Sequence, residues 1–262
     1  LWPDAFVDEL VGRGFRVIRY DNRDIGLSHK FDGVKAPHPL WHLFVKRIFK
    51  NRRMAPYSLV DMAADAMGVL DALEIERAHV LGVSMGGMIS QIVGAEYPDR
   101  VLSLMPVMTS TNAPGLPGPD KEIRKILIQA ARNRPETEEE AIAAGMRFFN
   151  AIGSPGGEER QAEIKELIHK SVTRSLYPEG PSRQLAAIID TGNLRPFAQR
   201  VQARTLVIHG EADPLILHPC GKDVADHVEG ARFELVDDMG HDLPEAKHGS
   251  LADLVAAHAL GD

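Results

Sequence analysis

An apolar run that ends in a glycine-bounded serine restricts the fold of this 262-residue chain more than any other feature. Residues Ala78–Val83 have the pattern of a buried strand, and Gly86–Tyr97 has the pattern of a helix that Pro98 ends. Between them lies Ser84, in the sequence Gly-Val-Ser-Met-Gly-Gly. A strand that turns directly into a helix at a G-x-S-x-G pattern predicts a tight turn, which lifts the serine hydroxyl above the edge of a sheet.

Strands and helices alternate on both sides of this turn. A helix is predicted over residues 1–13, and another over Leu59–Leu73 with Ser58 as its N-cap. Further strands are predicted at Phe15–Tyr20, Val101–Met108, Thr205–His209 and Arg232–Val236. This alternation predicts an α/β fold with a mostly parallel sheet that is flanked by helices.

The strand pattern disappears between residues 112 and 196. Helical spacing occurs there at Glu122–Arg132, Thr137–Phe149 and Glu158–Thr173. A stretch of about 80 residues is far longer than one crossover between strands requires. We therefore predict a helical cap at 112–196, inserted between the first part of a core domain, 1–111, and its second part, 197–262.

A serine hydroxyl becomes nucleophilic when a histidine that is oriented by a carboxylate takes its proton. In strand-turn-helix enzymes of this kind the chain order is serine, acid, histidine, each on a loop that follows a strand. Asp213 follows the strand Thr205–His209 and is the predicted acid, with Glu211 as the competing carboxylate. The alternative acid position, the loop 109–112, contains no carboxylate.

His241 is the predicted base because it lies on the last loop, after Arg232–Val236. His209, His248 and His258 are expected to be structural. The Met85 amide, at the start of a helix, is predicted to stabilise an oxyanion. Glycine is expected on either side of the serine, at 82 and 86, because a side chain there would collide with the neighbouring strand and helix. The predicted nucleophile elbow comprises Gly82, Gly86 and Gly87.

Charge and cysteine content limit the other classes of function. A formal net charge of −7 argues against nucleic-acid binding. The local basic run, Lys46, Arg47, Lys50, Arg52 and Arg53, is interpreted as a solvated helix face. The single cysteine, Cys220, excludes an internal disulfide and a cysteine-based zinc site. We expect no metal, no organic cofactor, no membrane partner and, by default, a cytoplasmic location; the oligomeric state stays open.

Several motifs together resemble the α/β-hydrolase superfamily over nearly the whole chain. The segment Asp21–Ser28 is similar to the D-x-R-G-x-G-x-S stretch of that superfamily, with Asp24 in place of the usual glycine, and Ser84, Asp213 and His241 match its triad. Residues 19–24 and 239–244 are most similar to the aclacinomycin methylesterase group. The resemblance implies hydrolysis of a carboxylic ester, with a methyl ester as one option, by a serine esterase with a small-molecule substrate.

The triad leaves other reactions open. Carbon–carbon bond hydrolysis and perhydrolysis use the same residues on this scaffold, and a slow-turnover receptor could retain them. Dehalogenases and epoxide hydrolases are disfavoured, because they have an aspartate at the position of Ser84. Members of the superfamily begin with two or three strands before the helix that here occupies residues 1–13, so we expect N-terminal strands and the second oxyanion donor to lie upstream of Leu1.

Overall fold

The fold is described from a computed structural model, in which residues 2–49, 52–132 and 135–261 are placed. Within these ranges four strands form one sheet in the order β1-β2-β3-β4, and every neighbouring pair is parallel. The strands are β1 (Ala78–Val83), β2 (Val101–Val107), β3 (Arg204–Gly210) and β4 (Arg232–Val236). The prediction of a parallel sheet is confirmed, and these four strands were predicted to within one residue at each end.

Helices cover both faces of the sheet. In chain order they are α1 (Asp4–Gly12), α2 (Pro39–Ile48), α3 (Leu59–Ala72), α4 (Met85–Glu96), α5 (Lys121–Arg132), α6 (Glu138–Ile152), α7 (Glu158–Arg174), α8 (Gly180–Thr191), α9 (Arg195–Ala198), α10 (His218–His227) and α11 (His248–Leu260). Ser58 is the N-cap of α3, as predicted, and the structure adds a capping box between Ser58 and Asp61. None of the helices described here is long and apolar enough to cross a membrane.

Two apolar layers enclose the sheet. Leu104 of β2 packs with helices α3 and α4 on one face, whereas Met105 and Val107 pack on the other face against α1 and α11. Successive side chains of a strand point to opposite faces, so one strand contributes to both layers. All three side chains are at most 3% exposed. The resulting rigid sheet holds the loops at the carboxyl ends of its strands.

The strand predicted at Phe15–Tyr20 is wrong. These residues form no regular secondary structure and have no ladder partner among the described strands. Phe15 and Val17 nevertheless pack against the apolar layer of α1 and α11. The apolar run therefore identified residues that pack on the core, but a strand also requires hydrogen bonds to a neighbour.

The exposed side of α2 differs from the predicted basic face. Trp41, Leu43, Phe44 and Ile48 are each more than half exposed. Lys46 points inward and donates to the Asp190 carbonyl. Arg52 and Arg53 are exposed but lie after the helix, and Lys50 lies outside the described residues. The prediction failed because α2 directs its polar side towards α8 and its apolar side outward.

A buried ion pair joins α8 to the loop 21–30. Both the Nε and the Nη2 atoms of Arg183 donate to Asp24, at 2.8 and 2.9 Å. Tyr57 and the Phe31 amide complete the hydrogen bonds of the same carboxylate. Neither ionised side chain is more than 3% exposed. The segment predicted as a cap is thus tied to the core through charged as well as apolar contacts.

Candidate active site

Ser84 lies at the sharp turn between β1 and α4. Its φ of +56° is in the left-handed region, which L side chains rarely adopt. Two hydrogen bonds hold this conformation: the Ser84 amide donates to the Val107 carbonyl, and the Thr109 hydroxyl donates to the Ser84 carbonyl, both at 2.8 Å. The neighbouring strand β2 and the loop after it therefore support the strained turn.

The glycines of the turn differ in what they require. A Cβ on Gly82 would lie 2.3 Å from the Gly86 carbonyl oxygen, and one on Gly87 would lie 2.6 Å from the Thr109 side chain. A Cβ on Gly86 would meet no atom within 4 Å. The expectation of a collision at Gly86 is wrong. The Gly86 carbonyl can approach β1 closely because Gly82 has no side chain, and Gly86 itself has open space at its Cβ position.

The loops after three strands bring Ser84, Asp213 and His241 together. His241 Nε2 lies 2.9 Å from Ser84 Oγ, and His241 Nδ1 lies 2.7 Å from Asp213 Oδ2. The carboxylate can only accept, so Nδ1 carries the proton and Nε2 is free to accept from the serine hydroxyl. This is the arrangement in which a histidine acts as a general base towards a serine.

Asp213 is buried as an anion. Its Oδ1 atom accepts from the Leu215 and Ile216 amides at 2.9 Å each, while Oδ2 accepts from His241. Burial alone would raise the pKa of the Asp213 carboxyl, but the nearby His209 and His241 side chains and the backbone amide outweigh burial and lower it. The carboxylate therefore stays ionised and fixes the orientation of the imidazole.

A protein family described as "alpha/beta hydrolase fold" matches residues 1–152, which are more than half of the chain. The chain is a member of the α/β-hydrolase family. A curated relative, rhodomycin D methylesterase DauP of Streptomyces sp. (strain C5), is 28% identical across 98% of this chain and 85% of its own length. The predicted fold class and the resemblance to methylesterases are confirmed.

Solved α/β hydrolases superpose on nearly the whole chain. A hydrolase from Pseudomonas aeruginosa PA01 has a TM-score of 0.68 at 25% identity, covering 97% of this chain and 82% of that one. The esterase EaEST from Exiguobacterium antarcticum has a TM-score of 0.72, covering 98% and 86%. At 15% identity, this second likeness shows the fold alone.

The first residue of α4 in this α/β hydrolase is Met85, directly after Ser84. The first amides of a helix have no partner within it, and the helix dipole makes this end electropositive. The Met85 amide therefore lies where it could donate to the negative oxygen of a tetrahedral carbon that is bonded to Ser84 Oγ. That role for Met85 remains a prediction.

The other candidate residues lie apart from the serine. Glu211 is exposed, whereas Asp213 is 2% exposed. His248 and His258 lie on α11 and hydrogen-bond to the backbone carbonyls of Leu243 and Arg204. The structure thus brings the predicted acid, and not its competitor, to the imidazole.

Three further residues support the site: His209, which was expected to be structural, and Ser154 and Asp242, which sequence reasoning missed. His209 is fully buried, with Nε2 on the Ile216 carbonyl at 2.7 Å and 3.5 Å from Asp213, so it braces the acid loop. Ser154 and Asp242 form a buried hydrogen-bonded pair beside His241. The position of Asp242 next to the predicted base was the one available signal; Ser154 is 87 positions away from His241 and gave none.

No group of three or more His, Cys, Asp or Glu side chains in the described ranges could hold a metal ion. The polar groups around Ser84 are instead those of proton transfer: one hydroxyl, one imidazole and one carboxylate.

Proposed function

We propose that this chain hydrolyses carboxylic esters through an acyl-enzyme on Ser84, with His241 as general base and acid and Asp213 as the residue that orients it. The single observation that supports the proposal most is the continuous hydrogen-bond chain from Asp213 Oδ2 through His241 to Ser84 Oγ, with distances of 2.7 and 2.9 Å. The likeness to methylesterases over almost the full chain favours a small alcohol such as methanol as the leaving group.

The first half-reaction forms the acyl-enzyme. His241 Nε2 takes the proton of Ser84 Oγ as this oxygen attacks the ester carbonyl carbon, and the carbonyl oxygen becomes an oxyanion. The Met85 amide donates to that oxygen. When the tetrahedral intermediate collapses, the bond to the alkoxy oxygen breaks and the imidazolium gives its proton to the departing alcohol.

Water completes the cycle. His241 removes a proton from a water molecule, whose oxygen attacks the acyl carbon. The bond to Ser84 Oγ then breaks, the serine regains its proton from the imidazolium, and the carboxylic acid leaves. Asp213 keeps its negative charge throughout and stabilises the imidazolium each time it forms.

The proposal is tested first by Ser84→Ala, assayed with p-nitrophenyl acetate. We expect kcat to fall by about 10⁶-fold, with a residual rate from binding and oxyanion stabilisation. Circular dichroism should show an unchanged fold, because the substitution removes one half-buried hydroxyl. Wild-type turnover in the variant would contradict the assignment of the nucleophile.

The acid is tested by a matched pair of variants. Asp213→Asn should lower kcat by about 10⁴-fold, since the amide favours the wrong imidazole tautomer. Glu211→Gln removes an exposed carboxylate two residues away and should leave kcat unchanged. The opposite ranking of the two variants would assign the acid to Glu211.

A substrate panel separates ester hydrolysis from the other reactions of this triad. Methyl, ethyl and phenyl esters of several acids should be turned over, whereas ring-fission diketones and perhydrolysis substrates should react more slowly. A burst of one equivalent of p-nitrophenol without further turnover would identify a receptor with an acylated serine instead of an enzyme.

A further inference from the structure

The backbone of His241 is hydrogen-bonded to the inserted helices. The His241 amide donates to the carbonyl of Ile152, the last residue of α6, at 2.7 Å. The adjacent Gly240 amide donates to Ser154 Oγ at 2.9 Å. Among the described residues, neither Ser84 nor Asp213 hydrogen-bonds to the segment 112–196; their partners are residues of the core and His241.

A buried carboxylate reinforces this contact from the other side of the histidine. Asp242 Oδ1 accepts from the Ser154 amide at 2.9 Å and from the Ser154 hydroxyl, while Oδ2 accepts from Arg160 of α7. Ser154 and Asp242 are 8% and 9% exposed. The Ser154 hydroxyl therefore accepts from Gly240 and donates to Asp242, and so connects the residues before and after His241.

Two glycines allow the backbones to touch. A Cβ on Gly240 would lie 2.4 Å from the Gly153 carbonyl carbon, and a Cβ on Gly153 would lie 2.7 Å from Asp242 Oδ2. Distances below 3.0 Å are not compatible with a real Cβ, so the Gly240 backbone packs directly on Gly153, and the Asp242 carboxylate packs directly on the Cα side of Gly153. Such contact leaves little freedom for one segment to move without the other.

From this geometry we propose that Ser154 and Asp242 are positioning residues, which set the imidazole of His241 against Ser84 by holding its backbone to the inserted helices. The inference rests on the proposed function, because it assigns consequences for proton transfer by His241. On this proposal the packing of the segment 112–196 on the core completes the alignment of the triad.

Loss of the positioning by Ser154 and Asp242 should lower the rate of the chemical step much more than it weakens substrate binding. A misplacement of reacting groups by about 1 Å can lower a rate about 100-fold. The hydrogen bonds of Ser154 and Asp242 go to Gly240, Arg160 and each other and not to Ser84, so a loss of alignment should appear in kcat and not in KM.

The test compares Ser154→Ala and Asp242→Ala with the wild type. We expect kcat for p-nitrophenyl acetate to fall about 100-fold, with KM within about 3-fold. Labelling of Ser84 by a fluorophosphonate, which reports nucleophilicity without ester binding, should slow in parallel. Asp242→Asn keeps an oxygen towards Ser154 and should retain more kcat than Asp242→Ala. Ser154→Ala removes a single hydroxyl and keeps the test decisive if Asp242→Ala does not fold.

The matched control is Tyr177→Phe. The Tyr177 hydroxyl donates to Asp32 and accepts from Arg183, so its loss removes hydrogen bonds that link the region before α8 to the core, away from the triad. This variant should keep wild-type kcat. Unchanged kcat in Ser154→Ala and Asp242→Ala, or an equal loss in Tyr177→Phe, would overturn the positioning role. Because Ser84→Ala is assayed separately, either result leaves the proposed function standing if Ser84→Ala is inactive.

Discussion

Asp24 has one feature that destabilises the fold, a strained backbone, and one that stabilises it, a buried ion pair. Its φ of +68° is in the region that favours glycine, which the related motif usually has at this position. Its carboxylate is fully buried and accepts from Arg183, Tyr57 and the Phe31 amide. The backbone strain costs roughly 1 to 2 kcal/mol, whereas breaking a buried ion pair costs about 3 to 5 kcal/mol. The ion pair should therefore dominate.

Asp24→Gly is expected to destabilise the protein by about 2 kcal/mol or more, even though glycine suits this backbone, because Arg183 would remain buried without its carboxylate. Urea unfolding at pH 7 measures the difference. The control is Asp238→Gly, at an exposed position with a φ of +53° and no side-chain hydrogen bond to the described residues. Asp238→Gly should be neutral or stabilising, and equal effects of the two substitutions would contradict the argument.

At the scale of elements, the junction of β1 and α4 depends on a close approach of two backbones. The strand packs so tightly on the start of the helix that only a hydrogen at Gly82 fits against the Gly86 carbonyl. A methyl group at Gly82 would push α4 away from β1 and would move Ser84, which lies between them.

The matched pair Gly82→Ala and Gly86→Ala tests this packing. Gly82→Ala should lower the free energy of unfolding by about 1 to 3 kcal/mol or prevent folding, because of overpacking. Gly86→Ala should have no such cost, since its Cβ would meet nothing within 4 Å and alanine favours the helix by up to about 1 kcal/mol. Thermal unfolding of both variants gives the comparison; a destabilised Gly86→Ala with a normal Gly82→Ala would reverse the interpretation.

For the whole molecule, buried carboxylates determine how the stability of the fold changes at acid pH. Burial alone would raise the pKa values of Asp24, Asp190, Asp213 and Asp223, but hydrogen bonds outweigh burial and lower each of them. The donors include Arg183 for Asp24, the Ala55 amide and His42 for Asp190, and Arg195 for Asp223.

A carboxyl whose pKa is lower in the folded state than in the unfolded chain binds fewer protons when folded. Its contribution to stability is complete above the unfolded pKa of about 4 and is lost as the pH falls through the folded value. We expect these groups to change the free energy of unfolding little between pH 7 and 5. At pH values below about 4 the free energy of unfolding should decrease. Chemical unfolding at a series of pH values measures this, and Asp24→Asn should show a shallower decrease. If the free energy of unfolding of Asp24→Asn decreased with pH as steeply as that of the wild type, Asp24 would not contribute to the acid sensitivity.

Local sequence patterns predicted an element correctly where its apolar residues pack against neighbouring elements in the expected way. The four strands of the sheet were predicted from short apolar runs, and the N-cap of α3 was predicted from Ser58. Local patterns failed for Phe15–Tyr20, whose apolar residues pack on the core without a strand partner, and for α2, whose apolar side faces outward. In both cases the missing information was which neighbour lies beside the segment, and periodicity does not contain it.

The sequence by itself determined the parallel α/β architecture, the family, and which serine, acid and histidine follow β1, β3 and β4, because strand-end loops of a parallel sheet meet at one edge. Only the tertiary structure decided that Asp213 is buried while Glu211 is exposed, that Asp24 neutralises Arg183, and that Ser154 holds the loop of His241. These contacts join residues separated by 86 positions or more in two of the three cases. Their energies depend on burial and hydrogen-bond geometry, which exist only after the chain has folded.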